Sequence, residues 1–245
     1  MLFVRSGSVP LGWTISPALS ELGPVILQHL TNTKTANDDF VGAPSGVGYT
    51  YPSVMTPAHL AQFAQLTGQY VAHTAKVAGG MSVVNVIGDP CVGGTFHDGC
   101  RGLNKPNMSA IEPLLQQPQI DGIFWYTFGA GYSGWSGTMW GGDGSGSIKK
   151  KPVVGGRFSL WGEATKGTML GVKPLIASMK LLLLERKINR DANSANGYSL
   201  VPVHAWSHNV SDVVEVARAL EETGDFEVVT PSALLAAVAK NVPPQ

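Results

Sequence analysis

Aromatic residues, carboxylates and a few cations fall at the ends of successive apolar runs in this sequence. Trp13 and Ser16 close or follow residues 9–13, Asp38 and Asp39 flank residues 40–42, and Asp89 ends a Val-Ile-Gly-Asp stretch after residues 82–87. Trp125 and Tyr126 lie in 122–127, Arg157 and Trp161-Gly-Glu163 on or after 153–160, and His204-Ala-Trp206 at the end of 199–204. Flat aromatic faces pack on the C–H faces of a sugar, and two carboxylates can share acid and nucleophile or base duties at an acetal carbon. Asp38 and Asp89 are the expected pair, with Glu163 in reserve. Trp13, Tyr49, Tyr51, Tyr126 and Trp206 would line subsites, while Arg157 and His204 hold hydroxyls or tune a carboxylate. A separation near 5 Å predicts retention at the sugar, and roughly 6.5–9.5 Å predicts inversion. Each residue has a plainer role available: a strand-end tryptophan can be core, and Asp89 before Pro90 can simply open a turn.

The runs are expected strands, and helical patterns alternate with them. Ser16-Pro17, Thr56-Pro57 and Thr230-Pro231 each place a capping hydroxyl ahead of a proline at the first helical position, and Ser109 to Glu112 has capping-box spacing. Helices are expected over 17–30, 57–77, 109–116, 174–188, 212–223 and 231–240, and a seventh strand over 226–229. This alternation means an α/β fold with a mainly parallel sheet, either a barrel or an open doubly wound sheet, whose active site gathers at the carboxyl ends of the strands. The Gly/Ser-rich stretch 129–146 carries Tyr132, Trp135 and Trp140, for which a linker would have no use, so it reads as an ordered loop near a site.

Composition narrows the classes of function. A chain of 245 residues can bury a full core as a single domain. Seventeen basic residues balance seventeen acidic ones, which leaves nothing to neutralise a phosphate backbone or an anionic membrane. Only 14% of residues are charged, yet the chain is apolar enough to collapse, which excludes a disordered tail. The longest leucine run, Leu181 to Leu184, is far short of a membrane span, and the first residues lack the basic opening and apolar stretch of a signal peptide. No GxGxxG follows a strand and no phosphate-binding loop motif occurs, so no nucleotide cofactor is expected. Cys91 and Cys100 can close a small disulfide loop or remain free thiols. With His97 and Asp98 they match no rational zinc spacing, and no metal is expected there.

Residues 46–52, Gly-Val-Gly-Tyr-Thr-Tyr-Pro, are more specific. They resemble the signature of the GxGYxYP family of glycoside hydrolase-like proteins, and residues 9–17 and 151–161 resemble flanking segments of that family. The resemblance runs from about residue 9 to the Val-Val-Thr-Pro ending at Pro231. It implies a C-terminal domain, an incomplete (β/α) barrel of about seven strands, acting on a polysaccharide and usually outside the cytoplasm. Family members carry further sequence ahead of this domain, including an acidic segment. This chain opens almost directly on the first strand, so either a fragment or a naturally shortened member is expected, without any catalytic acid that lies upstream. Beside that resemblance, the two glycines permit a sharp turn after residues 40–41, and Tyr49 and Tyr51 share a face if extended, as a stacking platform or as a plug of the barrel end. Two rivals remain. One is a metal-dependent carbohydrate deacetylase using Asp38-Asp39 and His204, with the 226–235 pattern suiting that fold. The other is a non-catalytic sugar-binding or structural module.

Overall fold

The computed structural model of the chain describes residues 7–88, 106–127, 135, 137–142, 150–162, 169–185 and 191–244. Six strands form one sheet: β1 (Leu11–Ile15), β2 (Asp38–Gly42), β3 (Val83–Gly88), β4 (Gly122–Thr127), β5 (Thr138–Gly141) and β6 (Lys151–Gly155). Their spatial order is β1-β2-β3-β4-β6-β5, all parallel except β5, which runs antiparallel along β6. β3 and β4 are buried at every position, as strands covered on both faces must be. Val84, Val86, Ile123, Trp125 and Val153 face one core. That core is completed from α2 (Pro24–Thr33), α3 (Pro57–Ala78) and α4 (Met108–Leu115). The alternate residues Val41, Val83, Ile87, Phe124, Tyr126 and Val154 meet Leu235 and Val238 of α7 (Pro231–Asn241) on the other face.

Small residues let α7 lie close to that face. A Cβ on Gly12 would strike the Pro231 ring, and one on Gly122 would come within 2.7 Å of Leu235 Cδ1. A third core joins β7 (Ser159–Leu160) and β8 (Met169–Leu170) to α5 (Val172–Leu184) and α6 (Val210–Glu221), through Leu160, Leu170, Leu175, Met179 and Leu220.

Several expectations need revision. The sheet is mainly parallel but not closed, because β1 and β5 are edges. The expected strand over 226–229 is coil. The expected 153–160 strand divides at Gly155-Gly156, where the ladder changes partners: Gly156 N–H still bonds Trp125 O, but Arg157 N–H bonds Leu200 O. Residues 199–204 contribute only two parallel bridges, Gly156 with Leu200 and Leu160 with Val203. The first expected helix splits into α1 (Leu19–Leu22) and α2 at Gly23-Pro24, since the residue before a proline is pushed out of helical geometry. Asn107, not Ser109, caps α4, and Glu112 accepts from Gly142 N–H instead of closing a capping box. The described part of the aromatic loop includes the unforeseen β5, on which Trp140 packs toward the α7 face, and Trp135, which is buried in the first core. Cys91, His97, Asp98 and Cys100 lie outside the described residues.

Candidate functional site

At the amino edge of the sheet, Asp38 opens β2 and is only 2% exposed. Its Oδ1 accepts from Trp13 Nε1–H at 2.7 Å, and its Oδ2 accepts from Thr35 N–H at 2.9 Å and Thr35 Oγ1–H at 2.6 Å. Asp39 faces the other way and accepts from Ser232 N–H at 2.8 Å and from the Ser232 hydroxyl, at the first turn of α7. A carboxylate there satisfies an orphan N–H and complements the helix dipole. Both acids and Trp13 therefore fasten elements together.

Register separates Asp38 from the carboxyl end of β3, which Asp89 follows in sequence. Gly42 pairs with Val84. Asp38 stands four residues before Gly42, and Gly88, the last described residue ahead of Asp89, four residues beyond Val84. At strand rise, the two ends are about 26 Å apart, well outside the reach of a glycosidase carboxylate pair. Asp89 and Glu163 themselves lie outside the described residues.

The carboxyl edge carries the signature loop. Ser45 is fully buried; its Oγ–H donates to Thr50 O at 2.7 Å and its Oγ accepts from Ile87 N–H at 3.1 Å, which ties the loop to the end of β3. Gly46 has φ +122°, and a Cβ there would come within 2.5 Å of Thr67 Oγ1 on α3, so glycine is required twice over. Gly48 has open space instead. The loop presents Tyr49 and Tyr51 edge to face, ring centres 6.4 Å apart, with Tyr49 59% exposed and Tyr51 packed toward Tyr126 and its neighbours. Burial, then the neighbouring Tyr49, raises the Tyr51 phenol above its ordinary value, so it remains a hydrogen-bond donor. Tyr126 is buried near the end of β4.

Two further groups follow the carboxyl ends. Arg157, just past β6, is 8% exposed, and its Nε–H donates to Ser199 Oγ at 2.9 Å. Past β7, Trp161 stacks on His204 with centres 3.6 Å apart at 18°, and Trp206, 94% exposed, stands edge-on to His204 at 5.6 Å. His204 Nδ1 contacts Ser207 Oγ at 2.8 Å. Partial burial, then the neighbouring His208, lowers its pKa, which favours the neutral imidazole. His208 is clamped between Asp212 Oδ2 at 3.1 Å and Gly162 O at 3.0 Å.

Sequence reasoning passed over Ser45, Thr67, Ser199 and Asn85. Asn85 lies 5% exposed in β3 and donates to Thr14 Oγ1 at 3.0 Å. A lone amide in Val-Val-Asn-Val-Ile is a visible signal, since a buried strand does not hold one without a partner. Among the described residues no three His, Cys, Asp or Glu side chains converge. The Asp38-Asp39 and His204 elements behind the deacetylase reading stand at opposite edges of the sheet.

Two cavities occupy other ground. One of about 500 Å³ lies at the amino edge beside Lys34, Asp39, Ser82, Asp121 and Ser232. The other, about 510 Å³ and lined largely by apolar side chains, lies between β1, α5, α6 and α7. No described helix is long and apolar enough to cross a membrane.

Residues 4–239 match the family described as GxGYxYP putative glycoside hydrolase C-terminal domain. A solved structure, the crystal structure of a putative hydrolase from Bacteroides thetaiotaomicron VPI-5482, superposes with a TM-score of 0.73 at 26% identity over 98% of this chain. The chain spans 40% of the length of that protein. A search of curated proteins gives no match.

Proposed function

We propose, since the chain belongs to the GxGYxYP family, that it is a glycoside hydrolase-like domain whose oligo- or polysaccharide substrate lies across the carboxyl edge of the sheet. One observation carries the placement: the family signature and the Trp161–His204–Trp206 group both sit at that edge, and both expose aromatic surface there, on Tyr49 and Trp206. Exposed aromatic faces on two segments of one edge suit stacking on the C–H faces of a sugar.

Tyr49 and Trp206 are the stacking surfaces, Tyr51 and Tyr126 shape the floor, and Arg157 and His204 make the polar contacts. Asp38 and Trp13 have no part in it. The acids are Asp89 and Glu163, on the support that they directly follow Gly88 and Gly162 at the carboxyl ends of β3 and of the segment after β7. The parallel bridges at Leu200 and Val203 support an incomplete barrel, one domain in which residues 199–204 continue the curve beyond β6.

The test is turnover of a glycan that the wild-type domain cleaves. Asp89→Asn and Glu163→Gln should each lower the rate at least about a hundredfold with melting unchanged, as loss of a general acid or base does. Tyr49→Ala and Trp206→Ala should each weaken binding roughly three- to tenfold, the worth of an aromatic contact. Wild-type rates in both acid variants would overturn the assignment of the acids, and wild-type affinity in both aromatic variants would overturn the placement.

A further inference from the structure

Arg157 holds a cation where proteins rarely leave one alone. It is more than nine-tenths buried, and among the described residues the one hydrogen-bond partner of its guanidinium is Ser199, through Nε. Burial lowers its pKa, and among the described residues no carboxylate offsets the effect. A buried charge with no counter-charge is strongly destabilising, and the described residues supply none to Arg157. Because Ser199 takes Nε, the end-on edge of the guanidinium, with its two Nη groups, is the part left to a ligand.

Placement completes the case. Arg157 stands just beyond the carboxyl end of β6, and its backbone N–H bonds Leu200 O on the segment that leads to His204 and Trp206. Ser199 holds the guanidinium at Nε, and the strand exchange at Gly155-Gly156 holds the Arg157 backbone. Two parallel N–H donors from a guanidinium match the two coplanar oxygens of a carboxylate.

We infer that Arg157 is an anion anchor, and that the saccharide this domain takes carries a carboxylate, as a uronic acid does. The inference rests on the carbohydrate reading above and names its substrate class. The ligand carboxylate supplies the counter-charge that the described protein lacks, and the neutral sugars on either side meet the aromatic surfaces of Tyr49 and Trp206.

Calorimetric titration of the full chain with uronic-acid oligosaccharides, with the same oligosaccharides after carboxyl reduction, and with a sulfated neutral oligosaccharide tests this. The acidic form should bind at least about tenfold more tightly than the reduced one, the worth of a hydrogen bond to a charged group. Arg157→Lys, which keeps the charge but loses the fork, and Arg157→Gln should bring that ratio down toward one. Ser199→Ala, which frees the fork without removing it, should lower the ratio part of the way and serves if the Arg157 variants do not fold. Equal affinity for acidic and reduced forms overturns the inference and leaves the carbohydrate reading standing. So does an acidic preference that survives Arg157→Gln, or binding of the sulfated sugar in place of the uronate. No binding of any saccharide overturns both.

Discussion

Asp38 and Asp39 stand side by side in sequence and bond to opposite layers, because consecutive strand residues point to opposite faces. One carboxylate bonds Trp13 and Thr35 and the other caps α7, so neither is spare for chemistry. Asp38→Asn replaces an acceptor of three hydrogen bonds with a group that can accept on one side only. It should cost about 1–3 kcal/mol in urea denaturation and leave saccharide affinity of the folded protein unchanged; a loss of affinity at full stability would return Asp38 to the site. His204 makes a different prediction. Its folded pKa lies below its unfolded value, so the unfolded chain binds more protons as pH falls through about 6.5. Stability should therefore decline on acidification through that window, and His204→Gln should flatten the decline. A melting temperature that rises there because of His204 would contradict the stacked geometry.

At the scale of elements, the signature loop is held by one hydroxyl and one glycine more than by its tyrosines. Ser45 bridges Thr50 and Ile87, while Gly46 takes a left-handed turn against Thr67. Gly46→Ala should cost about 1–3 kcal/mol of stability or more, given both the backbone strain and the clash. Gly48→Ala meets nothing within 4 Å and should be nearly silent. Equal effects in a chemical denaturation series would show that the two glycines do the same work. The helices capped by Thr56 and Thr230 were legible because a cap is local chemistry. The break at Gly23-Pro24 was written in the sequence as well. The division of the 153–160 run was not, because it depends on which distant strand takes over the ladder at Gly156.

At the scale of the molecule, periodicity showed an α/β chain with a parallel sheet, and strand direction showed which edge to inspect. Asp38 was misplaced although the signal was present: it precedes the apolar run of β2, which in a parallel sheet means the amino edge. Closure of the sheet was not legible, since residues 226–229 have strand-like side chains but find no partner in the ladder, and pattern does not record partners. Arg157 and His204 could be placed at the carboxyl edge because each follows a strand-like run, whereas Ser199, which bonds Arg157 Nε, has no sequence signature of its own. The assignment of carbohydrate to the carboxyl edge is tested most directly by titrating isotope-labelled protein with a uronic-acid oligosaccharide and mapping the shifted amide resonances. Shifts should concentrate at Tyr49, Tyr51, Arg157 and residues 204–207. Shifts centred instead on Lys34, Ser82, Asp121 and Ser232, around the amino-edge cavity, would contradict it.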